Sequence, residues 1–308
     1  MCACAAPAPP TPRRAIGHPV LTQGNGALSL LTAAGDVAWQ MPWGGIHDIH
    51  LLPSDNVMVQ RGASAVVEID RATRQVVWEY DAASSNGNAG RPVEVHAFQP
   101  LPDGTVMIAE SGPARILEVG RDGKVIANTP LTVDRPHPHT DTRLVRKIAA
   151  DRYLVCHEGD GVVREYERGT GRVLWDYDVP LFGRQPRGGH GPEAFGDKCF
   201  CALRLANGNT LIATGNGHGV LEVSPAREIV WRLDQHDLPG VTLAWVTTLD
   251  VLDNGNYLVG NCHAGPGQPV LIELEPRTKA VVWRLDAFDR LGNSVSNSVV
   301  VDGSSALR

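Results

Sequence analysis

Short runs of alternating apolar and polar residues recur along the chain, and many of them end in a tryptophan. Five such runs are Asp36-Val-Ala-Trp39, Gln75-Val-Val-Trp78, Arg172-Val-Leu-Trp175, Glu228-Ile-Val-Trp231 and Ala280-Val-Val-Trp283. A sixth, Lys124-Val-Ile-Ala127, carries alanine in the place of tryptophan. Short alternating runs rich in β-branched residues predict antiparallel strands rather than helices.

Each of these runs after the first is preceded by two further strand-like segments, which turn residues separate. In the second unit the segments are Asn56–Gln60 and Ala65–Asp70, and dipeptides such as Asp103-Gly104 and Asn207-Gly208 mark equivalent turns elsewhere. One more strand precedes each three-stranded group. The pattern therefore predicts a four-stranded unit that repeats every 39 to 56 residues.

The first strand of each unit is expected to line a central axis. We assign these inner strands to His47–Leu52, Glu94–Leu101, Thr140–Ile148, Cys199–Leu205, Trp245–Leu252 and Ser296–Val301. The last has no strands after it, and the group at 18–39 has no inner strand before it. We therefore predict one all-β domain over 16–308, a six-bladed β-propeller of four-stranded antiparallel blades whose C-terminal strand completes the N-terminal blade. A β-sandwich or a solenoid explains neither the six copies nor the split ends.

Composition narrows the classes of partner. The chain has 308 residues, 43% of them hydrophobic, and a net charge of −6. It has no basic cluster beyond Arg13-Arg14, which argues against a nucleic-acid partner. It also has no apolar run of about 18 residues, so no transmembrane segment is predicted. We expect a monomer that binds a small molecule or a glycan.

The first 15 residues are rich in alanine and proline and predict a disordered arm. The opening Met1-Cys-Ala-Cys4 looks like the mature start of a bacterial lipoprotein, with Cys2 as the lipid-bearing residue. This pattern indicates a bacterial protein of the periplasm or cell surface, and a cytoplasmic location stays open.

Histidines are concentrated where a propeller binds ligands, in the loops that enter the inner strands and in those that follow the second strands. They are His47, His96, His139, His157, His190, His218, His236 and His263. Other residues in the same loops are Glu94, Asp141, Arg143, Glu158, Glu193, Trp245, Asn261 and Asn297. We therefore predict a ligand site at one end of the central channel.

Aligning the inner strands on the turns that follow them predicts one ring: His47, His96, Arg143, Phe200, Thr247 and Ser296. We take His47, His96, His139 and His190 as candidates for nucleophile, base or metal ligand, and Arg143 as an anion clamp. Imidazoles suit zinc, copper, iron and nickel, so a divalent metal is a candidate cofactor. The competing interpretation is structural: a single strand histidine is most often a satisfied core residue, and Arg143 braces a blade through Asp141.

Two segments, Val66–Trp78 and Arg164–Trp175, resemble the tryptophan-docking repeat of PQQ-like, quinoprotein-type β-propellers, and the resemblance covers 18–308. It implies that each tryptophan packs between neighbouring blades. Quinoprotein dehydrogenases have eight blades and a vicinal cysteine pair beside the cofactor. This chain has six units and no Cys-Cys, so the resemblance does not extend to PQQ.

The segment His47-Asp-Ile-His-Leu-Leu-Pro-Ser-Asp-Asn56 is similar to an element of the arylsulfotransferases, which are six-bladed. That family transfers sulfate between phenols through a sulfated histidine. The resemblance implies this role for His47 and proposes Arg61 as the accompanying arginine. The N-terminal β-sandwich of the bacterial enzymes has no counterpart here.

Two functions are consistent with these features. The first is an enzyme acting on a small polar or anionic substrate, by group transfer such as sulfotransfer or by metal-assisted lyase or hydrolase chemistry. The second is a non-catalytic propeller that binds a glycan or a protein at the cell envelope. Binding propellers line their face with aromatic residues, and most of the seven tryptophans here belong to the repeat, which favours the enzyme.

Overall fold

The computed structural model describes residues 17–303 and the backbone of 305–307, and the predicted arm at 1–15 lies outside them. Six antiparallel sheets surround a central axis, which confirms the predicted propeller. Blade 1 consists of β1 (Val20–Gly24), β2 (Ala27–Leu31), β3 (Val37–Pro42) and the late strand β24 (Ser298–Val300). Blade 2 consists of β4 (Ile49–Leu51), β5 (Val57–Arg61), β6 (Ala65–Asp70) and β7 (Gln75–Asp81). A single 3-10 turn follows at Ala82–Ser84.

The other four blades keep the same order from the axis outward. Blade 3 has β8 (Glu94–Pro100), β9 (Val106–Ser111), β10 (Arg115–Val119) and β11 (Val125–Pro130). Blade 4 has β12 (Val145–Ala149), β13 (Arg152–His157), β14 (Val162–Glu167) and β15 (Val173–Asp178). Blade 5 has β16 (Cys201–Arg204), β17 (Thr210–Ala213), β18 (Val220–Val223) and β19 (Ile229–Leu233). Blade 6 has β20 (Trp245–Leu252), β21 (Tyr257–Cys262), β22 (Leu271–Glu275) and β23 (Ala280–Leu285).

The ring closes as predicted, because β24 pairs antiparallel with β1 and aligns Val300 with Val20. A further strand, β25 (Ser305–Leu307), was not predicted. It pairs with the axial edge of β20 at Val251 and Leu252 and makes blade 6 five-stranded. One helical turn, α1 (Phe288–Leu291), precedes β24. Within the part of the chain that the structure describes, no helix is long and apolar enough to cross a membrane.

The repeated tryptophans connect successive blades. The indole nitrogen of Trp39 donates to the carbonyl oxygen of Arg71 in the next blade at 3.0 Å, and Trp78 donates to Arg121 at the same distance. Trp231 donates to Pro276 at 2.8 Å in the same manner. Each ring thus fills the gap between two twisted sheets while its polar N–H is satisfied. The tryptophans therefore stabilise the ring and do not line the channel.

A buried ion pair crosses the centre of the propeller. Arg146 on β12 donates two hydrogen bonds to Asp48, which precedes β4, at 2.8 and 3.0 Å. The backbone N–H of Phe98 on β8 also donates to this carboxylate at 3.2 Å. Three inner strands are thus joined around one carboxylate. Burial alone would raise the pKa of Asp48, but the charge and hydrogen bonds of Arg146 and His50 hold it well below its ordinary value.

Candidate functional site

At the end of the channel that carries the histidines, blade 3 has an irregular strand pairing. In the pairing of β8 with β9, Val95 aligns with Glu110 and Ala97 aligns with Ala109. His96 is therefore an extra residue, a β-bulge. Such bulges redirect one side chain without breaking the strand. Here the side chain of His96 is fully buried and meets Glu94 of the same strand.

Three side chains converge beside this bulge. The Nε2 atom of His96 lies 2.8 Å from Oε2 of Glu94, and Nδ1 of His139 lies 2.8 Å from the same oxygen. The ligand atoms of all three residues lie within 4.8 Å of one another. The side chain of His96 is 0% exposed, that of Glu94 is 28% and that of His139 is 50% exposed. The cluster thus has an anchored side and a side open to solvent.

Asp141 positions His139. One carboxylate oxygen of Asp141 accepts from the backbone N–H of Gly112 at 2.8 Å, and the other accepts from the N–H of His137. These bonds hold the connection between blades 3 and 4 against the turn after β9. The expected brace between Asp141 and Arg143 is not what the structure shows, since Arg143 is paired with Glu158. The carboxylate of Asp141 thus acts on the loop and not on the arginine.

The proton on His96 is located by its second hydrogen bond. Nδ1 lies 2.9 Å from the carbonyl oxygen of Thr142, which can only accept, so Nδ1 carries the hydrogen. Burial and the charge of Arg143 lower the pKa of His96, against the opposing effect of Glu94. A neutral ring of this tautomer directs the lone pair of Nε2 at Glu94. Its interactions with His96 and His139 outweigh burial and lower the pKa of Glu94 to about 2, so Glu94 is a carboxylate at neutral pH.

His47 stands beside this cluster. Its ring centroid lies 4.6 Å from that of His96 and 6.0 Å from that of His139. Its backbone N–H donates to Gln60 at 2.8 Å, which fixes the main chain, while Nδ1 is buried and has no hydrogen-bond partner among the described residues. Burial and the positive charge of Arg143 hold the pKa of His47 well below its ordinary value.

A charged group continues the channel wall into blades 4 and 5. Nε of Arg143 donates to Glu158, whose other oxygen accepts from Nζ of Lys198 at 3.1 Å. The guanidinium carbon of Arg143 lies 5.7 Å from the ring of Phe200, and the ring of His47 lies 6.2 Å from it. Phe200, which directly precedes β16, thus lies beside both Arg143 and His47. The structure therefore brings together four members of the predicted ring, which are His47, His96, Arg143 and Phe200.

Thr247 and Ser296, the remaining members of the ring, have different surroundings. Thr247 and Thr248 together oppose Gly260 in a bulge of β20, and Oγ1 of Thr247 is buried without a hydrogen-bond partner in the described part of the chain. The hydroxyl of Ser296 donates to the carbonyl oxygen of Ile46 and connects the last inner strand to the loop before His47.

A second aromatic group lies at blades 5 and 6. His190 stacks on Trp245 with ring centroids 4.9 Å apart, and His263 lies 5.1 Å from His190. Nζ of Lys198 lies 5.8 Å from the Trp245 ring, so the lysine connects this group to Glu158. Burial and the neighbouring His190 lower the pKa of His263. His236, by contrast, is exposed.

Several predicted ligand residues have their polar atoms occupied by the protein itself. His157 bonds the carbonyl oxygen of Asp141 and the hydroxyl of Tyr166, and His218 bonds the carbonyl oxygens of Ala244 and Ala194. The side chains of Asn261 and Asn297 bond backbone atoms of the strands around them. Their geometry is that of braces between loops.

Two more predicted residues lie away from the cluster. Glu193 is exposed, and its carboxylate folds back against Gly191 of the same loop. Any side-chain carbon at position 191 would clash with this carboxylate. Arg61, the arginine proposed from the sulfotransferase resemblance, forms an exposed ion pair with Glu79. The sequence did not point to Lys198, although its position before an inner strand was the available signal.

Comparison with solved structures identifies propellers of similar shape. A protein of unknown function from Bacteroides caccae is 22% identical, with a TM-score of 0.75 over 92% of this chain and 98% of that chain. Streptogramin B lyase is 10% identical, with a TM-score of 0.56 over 88% of this chain and 83% of that one. The WD40 β-propeller domain of Doa1 is 15% identical, with a TM-score of 0.54 over 79% and 71%. At these identities the likeness shows the fold alone.

Comparison of the sequence with family models identifies the family of the chain. No curated protein matches it. The family model described as outer membrane protein assembly factor BamB, a PQQ-type propeller model, matches 24–285 and therefore most of the chain. The match spans the tryptophan repeats that connect the blades. The chain therefore belongs to this BamB-type family of PQQ-like β-propellers.

Proposed function

We propose that the protein is an enzyme that holds a divalent transition metal at Glu94, His96 and His139 and uses it for lyase or hydrolase chemistry on a small polar or anionic substrate. The observation that carries the proposal is the convergence of these three ligand atoms within 4.8 Å of one another. Two imidazoles and one carboxylate form the protein ligand set of many catalytic zinc and iron sites.

The hydrogen bonding of His96 supports a cation at this point. With its proton on Nδ1, the ring presents a lone pair to a carboxylate oxygen 2.8 Å away. Two acceptors at that distance repel one another unless a proton or a cation lies between them. Full burial of His96 disfavours a second proton on its ring. The Thr142 carbonyl also fixes the orientation of the ring, as carbonyl groups do for metal-binding histidines.

Exposure of the cluster favours catalysis over a structural role. Structural metal sites are enclosed by four protein ligands, whereas catalytic sites keep a position for water or substrate. Glu94 and His139 are partly exposed on the channel side, so a substrate can reach the metal position. A bound metal would polarise a substrate oxygen or lower the pKa of a water. Within this chain, His47 is placed to accept or deliver a proton, since its ring adjoins that of His96.

A propeller of this shape is compatible with enzymatic activity. Streptogramin B lyase shares the fold, and a variant of virginiamycin B lyase from Staphylococcus aureus with one histidine replaced by alanine is described as catalytically inactive. The identity of that protein to this chain is 11%, so it supports the compatibility of the fold with lyase chemistry and does not identify a substrate.

The test is the metal content of the purified full chain without a tag, measured by elemental analysis, followed by titration of the chelated protein with Zn²⁺, Mn²⁺ and Fe²⁺. We expect close to one equivalent in the native protein. Glu94→Gln and His139→Ala each alter a ligand, so each should weaken metal binding by more than the roughly 10- to 100-fold typical of losing a partner that only orients a ligand. His236→Ala, which changes an exposed histidine elsewhere, is the matched control. A protein that neither contains nor binds metal would refute the proposal.

A second candidate is group transfer through His47, which the buried and unpaired Nδ1 beside Arg143 favours. A histidine nitrogen would take the sulfo group from an aryl sulfate and release the phenol, then pass the group to an acceptor phenol. Incubation of the metal-free protein with an aryl sulfate, followed by intact-protein mass spectrometry, tests it. Addition of one sulfo group in the wild type but not in His47→Asn would support it. If neither activity is found, the non-catalytic glycan- or protein-binding propeller is the remaining interpretation.

A further inference from the structure

We propose that Arg143 and His47 form a carboxylate-binding subsite next to the metal position, so that the substrate is a small carboxylic acid in its ionised form. The inference deepens the proposed function and rests on it for the reaction. The binding of the carboxylate is carried by different residues, which allows the two to be tested separately.

Arg143 has unused hydrogen-bonding capacity in a buried place. Its side chain is 5% exposed, and among the described residues it uses only Nε, which donates to Glu158. Nη1 is buried and has no partner. An unsatisfied buried donor destabilises the fold, and more so when it is charged, so such an atom requires an explanation. A ligand oxygen that accepts from Nη1 supplies one.

His47 supplies a second buried donor, and like Arg143 it lies beside Phe200. Its Nδ1 is also buried and unpaired, and the rings of His47 and Phe200 lie 6.2 Å apart while the guanidinium of Arg143 lies 5.7 Å from Phe200. Both side chains that carry an unpaired nitrogen therefore adjoin the ring of Phe200. When the hydrogen of the neutral His47 ring lies on Nδ1, His47 and Arg143 can both donate hydrogen bonds to one anionic group.

The charges around this space fit a single negative charge. Arg143 and Lys198 are both paired with the one carboxylate of Glu158, so these three side chains carry a net charge of +1, while the carboxylate of Glu94 would be balanced by the metal of the proposed function. A carboxylate balances that charge, whereas a phosphate dianion would leave one charge uncompensated in a poorly solvated site. The planar guanidinium also matches the planar carboxylate, since two of its N–H groups can point at the two oxygens.

The test uses calorimetric titration of the full chain, as purified and again after treatment with a chelator, with benzoate as the probe. Benzamide has the same ring and no charge, and phenyl phosphate and phenyl sulfate carry other anions. We expect benzoate to bind and benzamide not to bind. Arg143→Met should weaken benzoate binding by roughly 10- to 100-fold, the loss of a hydrogen bond to a charged group.

Two controls separate binding from folding. In Arg143→Met, Glu158 keeps its bond to Lys198 at 3.1 Å, so no buried carboxylate is left unpaired. Arg143→Lys keeps the charge and loses the planar group, and we expect it to bind benzoate more weakly than the wild type while retaining the melting temperature. Arg204→Met removes another partly buried arginine, which pairs with Glu165 at the far end of β16, and should leave benzoate binding unchanged.

The outcomes are distinct from those of the metal test. Equal benzoate affinity in the wild type and Arg143→Met would overturn the subsite, and so would equal binding of benzoate and benzamide. Tighter binding of phenyl phosphate or phenyl sulfate than of benzoate would overturn its assignment to carboxylates. If the protein binds no metal but binds benzoate through Arg143, the subsite stands and the proposed metal chemistry alone fails.

Discussion

Asp48 and Arg146 lie 98 residues apart in the chain and form a two-fold hydrogen-bonded ion pair at the centre of the propeller. The pair joins the inner strands of blades 2 and 4, and its carboxylate also accepts from Asn297 beside β24 at 3.2 Å. The residue next to it in the chain is His47. The ion pair thus fixes the position of Asp48, and with it the neighbouring His47 of the candidate site.

Removing one partner of this pair should destabilise the protein strongly. In Arg146→Met the charge of Asp48 remains buried without its arginine, and breaking a buried pair in this way typically costs about 3–5 kcal/mol. The double variant Asp48→Asn/Arg146→Met should lose less, because no buried charge is left. Urea denaturation of the three proteins gives the comparison. If Arg146→Met alone changed the free energy of unfolding by less than about 1 kcal/mol, the pair would not have the role assigned to it.

Metal binding should stabilise the fold by an amount that grows with the logarithm of the metal concentration above the dissociation constant. A ligand that binds only the native state at one hundred times its dissociation constant adds about 2.7 kcal/mol to the free energy of unfolding. We expect the melting temperature to fall on chelation and to recover on addition of the correct metal. Glu94→Gln should show no such response, while His236→Ala should respond like the wild type. Thermal scans at several metal concentrations measure it, and a response retained in Glu94→Gln would place the metal elsewhere.

The seam between the first and last strands should respond to pH through His18. Its ring nitrogens lie 3.0 Å from Glu273 and 2.8 Å from Asp302. Burial alone would lower the pKa of His18, but its hydrogen bonds to Asp302 and Glu273 outweigh burial and raise it above 6.5. A raised pKa means that the folded state binds the proton more tightly. The stabilisation is therefore complete below the unfolded pKa near 6.5 and is lost as pH rises through the folded value.

Comparing His18→Gln with the wild type isolates this effect. The free energy of unfolding of the wild type should exceed that of the variant most at about pH 5.5–6, and the difference should shrink toward pH 8–9. His236→Gln is the matched control and should leave the pH dependence unchanged. A wild-type advantage that grew with rising pH would have the wrong sign and would exclude this pairing as its source.

The indole N–H of Trp231 should contribute separately from its ring. Trp231→Phe keeps an aromatic ring between blades 5 and 6 but removes the donor to the carbonyl oxygen of Pro276, which should cost about 1 kcal/mol. Trp231→Ala also removes packing against Tyr257, whose ring centroid lies 5.4 Å away, and should cost clearly more. Chemical denaturation measures both. Equal losses in the two variants would mean that the ring itself contributes little.

Blade number and ring closure were predictable from the sequence. Strand alternation and turn residues are local signals that recur in every unit, and the tryptophan ends the outer run in five of the six, with Ala127 in its place in the other. The ends of the inner strands were placed to within two residues, because the turn after each one is recognisable, except that the strand predicted at Thr140–Ile148 begins only at Val145. The alignment on those turns also brought His47, His96, Arg143 and Phe200 into one ring, since equivalent positions of a repeated unit face the same axis.

The tertiary structure decided which of these residues act together. His139 lies in a long connection that has no repeat, and the bonds from Asp141 to Gly112 and His137 bring it to Glu94. The bulge at His96 turns its ring toward the same carboxylate. Other histidines lie at similar loop positions but form hydrogen bonds with backbone carbonyl oxygens instead, for example His157 and His218. A repeating pattern specifies the scaffold because the same contacts recur in each blade, whereas the site depends on contacts that each occur once.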